Sequence, residues 1–364
     1  MMRRKKWKAV FLAGVMSTVM CAGAVVQAAE TKQSETTQNS GTTEDAASKV
    51  PGVKAQVTKV LNVAEGTEVP DVTFSFEAKP KTEDAADVTI SDISFDKESE
   101  KGNLDQGVYH VAGTGAMEFA KFDHAGEYVY EVSEKTGNAD GVTYSTEKYD
   151  LHVYVANKGK DGLYIKALTA TNSNGKKVTD LKFVNTYVNN NASLSIAKKT
   201  TGELADKTKD FTFKITFTKA ATTDQTVYEG KIGSEAVRCE AGKETEFQLH
   251  DGETLVFEKL PAGTRYVVEE VGQKDNYTPS VVVKENGTMF EKSVRNEADS
   301  LATADSGKTS LVGEKENSAV FTNAYQDHPI TGLFMNNYPI FLLGAASVCA
   351  VVLLAVVSRR RFYR

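Results

Sequence analysis

The chain has 364 residues and a formal net charge of −6, a length for two or three domains. The mildly acidic balance carries no basic patch, which argues against a nucleic-acid partner. Of three cysteines only Cys239 lies outside the two terminal apolar runs, so internal disulfides are excluded. The five histidines are scattered, and no metal-ligand cluster, cofactor motif or nucleophile–base motif points to an enzyme.

The N-terminus reads as a secretory signal. Residues 1–8 hold a basic run from Arg3 to Lys8, followed by an apolar segment from Ala9 to Val26. Small residues follow at once and predict cleavage after Ala28 or Ala29, giving a signal peptide over 1–29. Residues 30–52 form a Thr-, Ser-, Gln- and Glu-rich leader without apolar periodicity.

From about Val53 the texture changes to short β-prone runs separated by Gly, Asn and Asp. Val72–Phe76, Tyr128–Val132 and Tyr149–Val155 are predicted strands, and no long amphipathic helix interrupts them. This is the pattern of an all-β sandwich.

The pattern occurs twice. Gln56-Val57-Thr58-Lys59, Phe74-Ser75-Phe76, Tyr130 to Glu134 and Phe183-Val184-Asn185-Thr186-Tyr187 recur in order as Ser195-Ile196-Ala197-Lys198, Phe211-Thr212-Phe213, Tyr266 to Glu270 and Phe321-Thr322-Asn323-Ala324-Tyr325. Two tandem sandwich domains are expected, over 53–188 and 189–326, each large enough to bury its own core.

Beyond them lies a second address. Residues 338–357 are almost wholly apolar and long enough for a transmembrane helix. The basic tail at 358–364 belongs on the cytoplasmic side, leaving the preceding domains outside. Just before the helix, His328-Pro329-Ile330-Thr331-Gly332 resembles the sortase sorting signal, with His in place of its first Leu.

Strand alternation sorts the polar residues of the repeat. Val57, Lys59 and Leu61 share a face, as do Leu194, Ile196 and Lys198. Tyr130, Val132 and Glu134 share one, matched by Tyr266, Val268 and Glu270. Phe183, Asn185 and Tyr187 are matched by Phe321, Asn323 and Tyr325. Each repeat thus turns a Lys, a Glu and an Asn toward its core, where such groups must be paired. Lys199, Glu131 and Glu269 fall on the opposite face.

Two readings of these triads stay open. One is a buried salt bridge hydrogen-bonded by the Asn. The other is covalent: desolvation favours the neutral amine, a competent nucleophile, and the protonated form of a neighbouring acid. The acid can then polarise the Asn carbonyl and shuttle protons while ammonia leaves. Packing supplies the effective concentration. No metal or cofactor is needed.

Over roughly residues 50–364 the chain resembles the Gram-positive major pilins of the streptococcal type, with two Ig-like, Cna-B-related domains and self-formed isopeptide bonds. The resemblance implies bonds Lys59–Asn185, assisted by Glu134, and Lys198–Asn323, assisted by Glu270. It implies sortase cleavage between Thr331 and Gly332. Transfer of the Thr331 acyl group would go to a lysine of another copy, placed at Lys177 with Lys176 as runner-up. It also implies a transient membrane stage, peptidoglycan attachment, display on the cell surface and a host surface ligand. A singly displayed, wall-anchored adhesin is the alternative; it would need no acceptor lysine.

Overall fold

The computed structural model describes residues 50–272, 276–292, 301–304 and 309–326. Both sandwiches belong to one compact unit. The described elements are strands, apart from one short 3-10 turn at Gly159–Asp161.

In the first sandwich, Ala55–Ala64 lies in the middle of the larger sheet. It is flanked by Val108–Phe119, antiparallel, and by Leu181–Tyr187, parallel. The smaller sheet runs Lys177–Val178, Leu163–Asn172, Lys148–Asn157, Gly126–Glu134 and Phe76–Pro80. Between the sheets, Val57, Leu61, Phe74, Tyr130, Val132 and Phe183 are fully or almost fully buried.

The predicted strand over 72–76 is two strands. Val72–Phe74 pairs with Ile93–Phe95 in a separate ribbon, while Phe76–Pro80 pairs with Gly126–Glu134. The chain changes partner at Ser75, whose carbonyl accepts the Lys135 N–H at 2.9 Å. Alternation survives the break, because Phe74 and Phe76 both stay in the core.

The second sandwich repeats the arrangement. Ala192–Thr201 lies between Thr254–Leu260, antiparallel, and Ser318–Tyr325, parallel. Arg265–Glu270 crosses the opposite sheet beside Phe211–Thr218. The core is built from Leu194, Ile196, Phe211, Phe213, Tyr266, Val268 and Phe321.

Polar contacts join the two sandwiches. Glu314 donates its N–H to Gly66 O at 3.0 Å, and its carboxylate accepts from Asn189 Nδ2 at 2.7 Å and from the Glu68 N–H at 3.0 Å. Arg265 pairs with Glu65 across the same junction.

Candidate functional site: a buried Lys–Glu–Asn triad in each sandwich

In each domain the first and last strands are parallel neighbours, which fixes the geometry of the site. Lys59 lies opposite Phe183, and Leu61 opposite Asn185. Lys198 lies opposite Phe321, and Thr200 opposite Asn323. A side chain two positions along a strand returns to the same face. Lysine and asparagine therefore stand diagonally adjacent on the core side of adjoining strands.

The acid arrives from the other sheet. Glu134 ends the strand Gly126–Glu134, opposite Phe76. Glu270 ends Arg265–Glu270, opposite Phe213. All six residues are buried.

In the first triad Lys59 Nζ donates to Glu134 Oε2 at 2.7 Å, and Asn185 Nδ2 donates to Glu134 Oε1 at 2.6 Å. In the second, Lys198 Nζ donates to Glu270 Oε1 at 3.0 Å, and Asn323 Nδ2 donates to the same oxygen at 2.5 Å. One carboxylate bridges amine and amide in each case. Aromatic rings enclose the groups. Lys59 Nζ sits 4.5 Å from the Phe74 ring centroid and Lys198 Nζ 4.1 Å from that of Phe211. Phe76 packs on Phe183 and Phe213 on Phe321, both with centroids 5.2 Å apart.

Burial lowers both amines. Desolvation outweighs the attraction of Glu134 and brings Lys59 from 10.5 to about 8. The same balance with Glu270 brings Lys198 to about 8. A buried ammonium loses hydration that one carboxylate does not replace. Near neutral pH a usable fraction of each amine is uncharged and nucleophilic.

One expectation changes. The acid was expected to polarise the Asn carbonyl, but in both sites it holds the amide nitrogen instead. In the first site the reason is visible: the backbone N–H of Ser145 donates to Asn185 Oδ1 at 2.7 Å, so the other end of the amide faces Glu134. The carboxylate thus touches the amine and the amide nitrogen at once. Ser145 carries no side-chain signal for this role. Only the pairing of the preceding strand, Val142–Thr143, with the last strand brings it there.

Outside the cores, Lys177 forms the short edge strand Lys177–Val178 and is exposed, as is its neighbour Lys176. Glu131, on the outward face, binds Lys148 at 2.8 Å, and Lys199 and Glu269 are half-buried. His328, Pro329, Ile330, Thr331 and Gly332, the signal segment and the apolar run at 338–357 lie outside the described residues. Among the described residues no helix is long and apolar enough to cross a membrane, and no group of three His, Cys, Asp or Glu side chains is placed to hold a metal.

Comparison with known proteins follows the division into two sandwiches. Residues 55–188 match the family of the Spy0128-like isopeptide containing domain, and residues 192–325 match a domain of unknown function, DUF7601. A pilin of Streptococcus pyogenes serotype M1 is 27% identical over 321 residues, covering 82% of this chain and 89% of that protein. The pilus tip adhesin Cpa of Streptococcus pyogenes is 33% identical over 143 residues, covering 38% of this chain and 18% of its own length. Among solved structures, the major pilin T3.2 of Streptococcus pyogenes covers 74% of this chain and 98% of its own at 22% identity and a TM-score of 0.36.

Proposed function

From the premise that this chain is of the Gram-positive major pilin kind, its residues 55–188 belonging to the Spy0128-like isopeptide containing domain family, we propose that it is the repeating structural subunit of a covalently polymerised surface pilus. Each sandwich ties itself with one amide bond, Lys59–Asn185 and Lys198–Asn323. Sortase joins Thr331 of one copy to Lys177 of another, and the finished fibre is attached to peptidoglycan.

The observation that carries this reading is the duplicated triad. A buried salt bridge alone explains one Lys–Glu pair. What favours a shared chemistry is that the same Lys, Glu and Asn recur at matching strand positions in both cores, each with the amide held on the carboxylate that binds the amine. The step is balanced. The Lys Nζ lone pair attacks Asn Cγ, and the C–Nδ2 bond breaks. The amine proton passes through the carboxylate to the leaving nitrogen, and one ammonia departs.

The position of the bond suits a fibre. The first and last strands are parallel neighbours, so tension drawn through the two ends of a domain shears one strand pair. A covalent tie across that pair carries the load that hydrogen bonds would otherwise bear. Head-to-tail joining is a heterologous contact that does not close on itself, and it therefore makes filaments.

Cell-wall extracts probed for this chain test the proposal. A ladder of SDS-resistant, high-mass species is expected. A single band at subunit mass would instead favour a singly displayed wall adhesin.

A further inference from the structure

The two triads differ at the asparagine carbonyl oxygen and in the acid: Glu134 uses both its oxygens, whereas Glu270 takes amine and amide on Oε1 and leaves Oε2 buried without a partner among the described residues. Asn185 Oδ1 accepts the Ser145 N–H at 2.7 Å. Asn323 Oδ1 is buried and has no partner among the described residues. We propose that the Ser145 backbone N–H is an oxyanion donor for the Lys59–Asn185 reaction, and that the second sandwich, where no described residue supplies such a donor, forms its bond more slowly. The inference rests on the covalent reading above.

The difference arises from how the repeat unfolds locally. Gly141-Val142-Thr143-Tyr144-Ser145 in the first domain corresponds to Asn276-Tyr277-Thr278-Pro279-Ser280 in the second. Both stretches open on a left-handed residue, Gly141 at φ 75° and Asn276 at φ 60°. Both then pair with the strand that bears the amide, just past the asparagine: Thr143 opposite Thr186, and Thr278 opposite Ala324. From there they part. In the first domain the strand stops at Thr143. The chain turns off the ladder and delivers the Ser145 N–H to the amide oxygen. In the second domain the strand continues to Glu285, and Pro279, which has no N–H, sits opposite Asn323.

Attack by the amine moves the carbonyl π electrons of Asn185 onto Oδ1. That oxygen then carries negative charge until the C–Nδ2 bond breaks and ammonia leaves. A fixed backbone donor in a dry site stabilises this charge without reorganisation. The same hydrogen bond orients the amide so that its leaving nitrogen faces Glu134. Both lysines are brought to about 8 and both acids hold the amide nitrogen, Glu134 through two oxygens and Glu270 through one. The rates should separate on the oxyanion donor.

The test follows both bonds in one molecule. Ectodomain chain collected unreacted in denaturant is folded by dilution, acid-quenched at intervals and digested, and each cross-linked peptide is quantified by mass. The Lys59–Asn185 peptide should form about 100-fold faster than Lys198–Asn323. S145P removes the N–H and should bring the first rate down to the second. S145A keeps the N–H and serves as the side-chain control, with a rate expected well above that of S145P. Equal wild-type rates overturn the inference, as does an S145P rate equal to that of S145A. Should S145P keep the first sandwich from folding, the wild-type comparison decides alone. Absence of both cross-linked peptides is a separate result, and it would remove the covalent reading itself.

Discussion

Lys59 stands two register positions before Asn185 on the neighbouring parallel strand, and the carboxylate of Glu134 spans the gap between them. Strand direction accounts for this. Two parallel strands that open and close a domain put equivalent faces side by side. A residue from the opposing sheet then reaches both at once. The second sandwich arrives at the same arrangement through Lys198, Asn323 and Glu270.

Removing the acid should separate folding from bonding. E134A and E270A are each expected to retain one ammonia, about 17 Da per unreacted amide. Peptide mapping should find Lys59 free in the first variant and Lys198 free in the second. A variant that still loses both ammonias would show that the acid is dispensable.

The tie should stabilise the domain it closes. A loop of roughly 100 residues removes about 4–5 kcal/mol of unfolded-state entropy by analogy with disulfides. N185A should lower the melting midpoint of the first sandwich by about 10–20 °C in calorimetry and leave the second transition in place. An unchanged first transition would mean that the loop is already held by packing.

Bond formation should depend on pH through the amine. With Lys59 and Lys198 brought down to about 8 by burial, the rate should rise about tenfold per unit below pH 8 and level off above it. The stability of an unreacted variant such as N185A follows the same group. Its folded lysine gives up the proton near 8 while the unfolded lysine keeps it to 10.5. The unfolded state thus binds more protons across that window, and stability should climb with pH from about 8 toward 10.5. A flat rate profile between pH 6 and 9 would exclude a neutral-amine nucleophile.

The junction should act separately from the chemistry. Glu314 accepts from both Asn189 and Glu68, and E314A should cost about 1–3 kcal/mol of contact between the sandwiches. Protease cutting within Asn189-Asn190-Asn191 should rise, and both ammonia losses should persist. Unaltered cutting would show that the Arg265–Glu65 pair suffices.

Polymerisation should respond to one exposed lysine. K177A is expected to collapse the high-mass ladder to the subunit band, and K176A to preserve it. Both side chains lie on the surface away from the core, so either variant should fold and lose both ammonias. The reverse pattern would move the acceptor to Lys176.

Much of the site was legible in the sequence because β structure alternates. Parity alone puts Lys59, Glu134, Asn185, Lys198, Glu270 and Asn323 on core faces and turns Glu131, Glu269 and Lys199 away, and the burial of these nine residues follows it. The repeat made the pattern stand out, since one inward lysine is weak and two matched triads are not. Other features depended on pairing, which no single strand encodes. The break at Ser75 arises because Phe74 and Phe76 serve different partner strands. The amide orientation was missed for a similar reason. It depends on where the strand Val142–Thr143 leaves its neighbour, and a backbone N–H has no letter of its own.

The most direct measurement is the intact mass of the folded, full-length ectodomain. Two closed amides correspond to a deficit of about 34 Da against the translated sequence, two molecules of ammonia. A mass equal to the translated value would show six buried groups held by ion pairing and hydrogen bonds alone, and would contradict the covalent account of both domains.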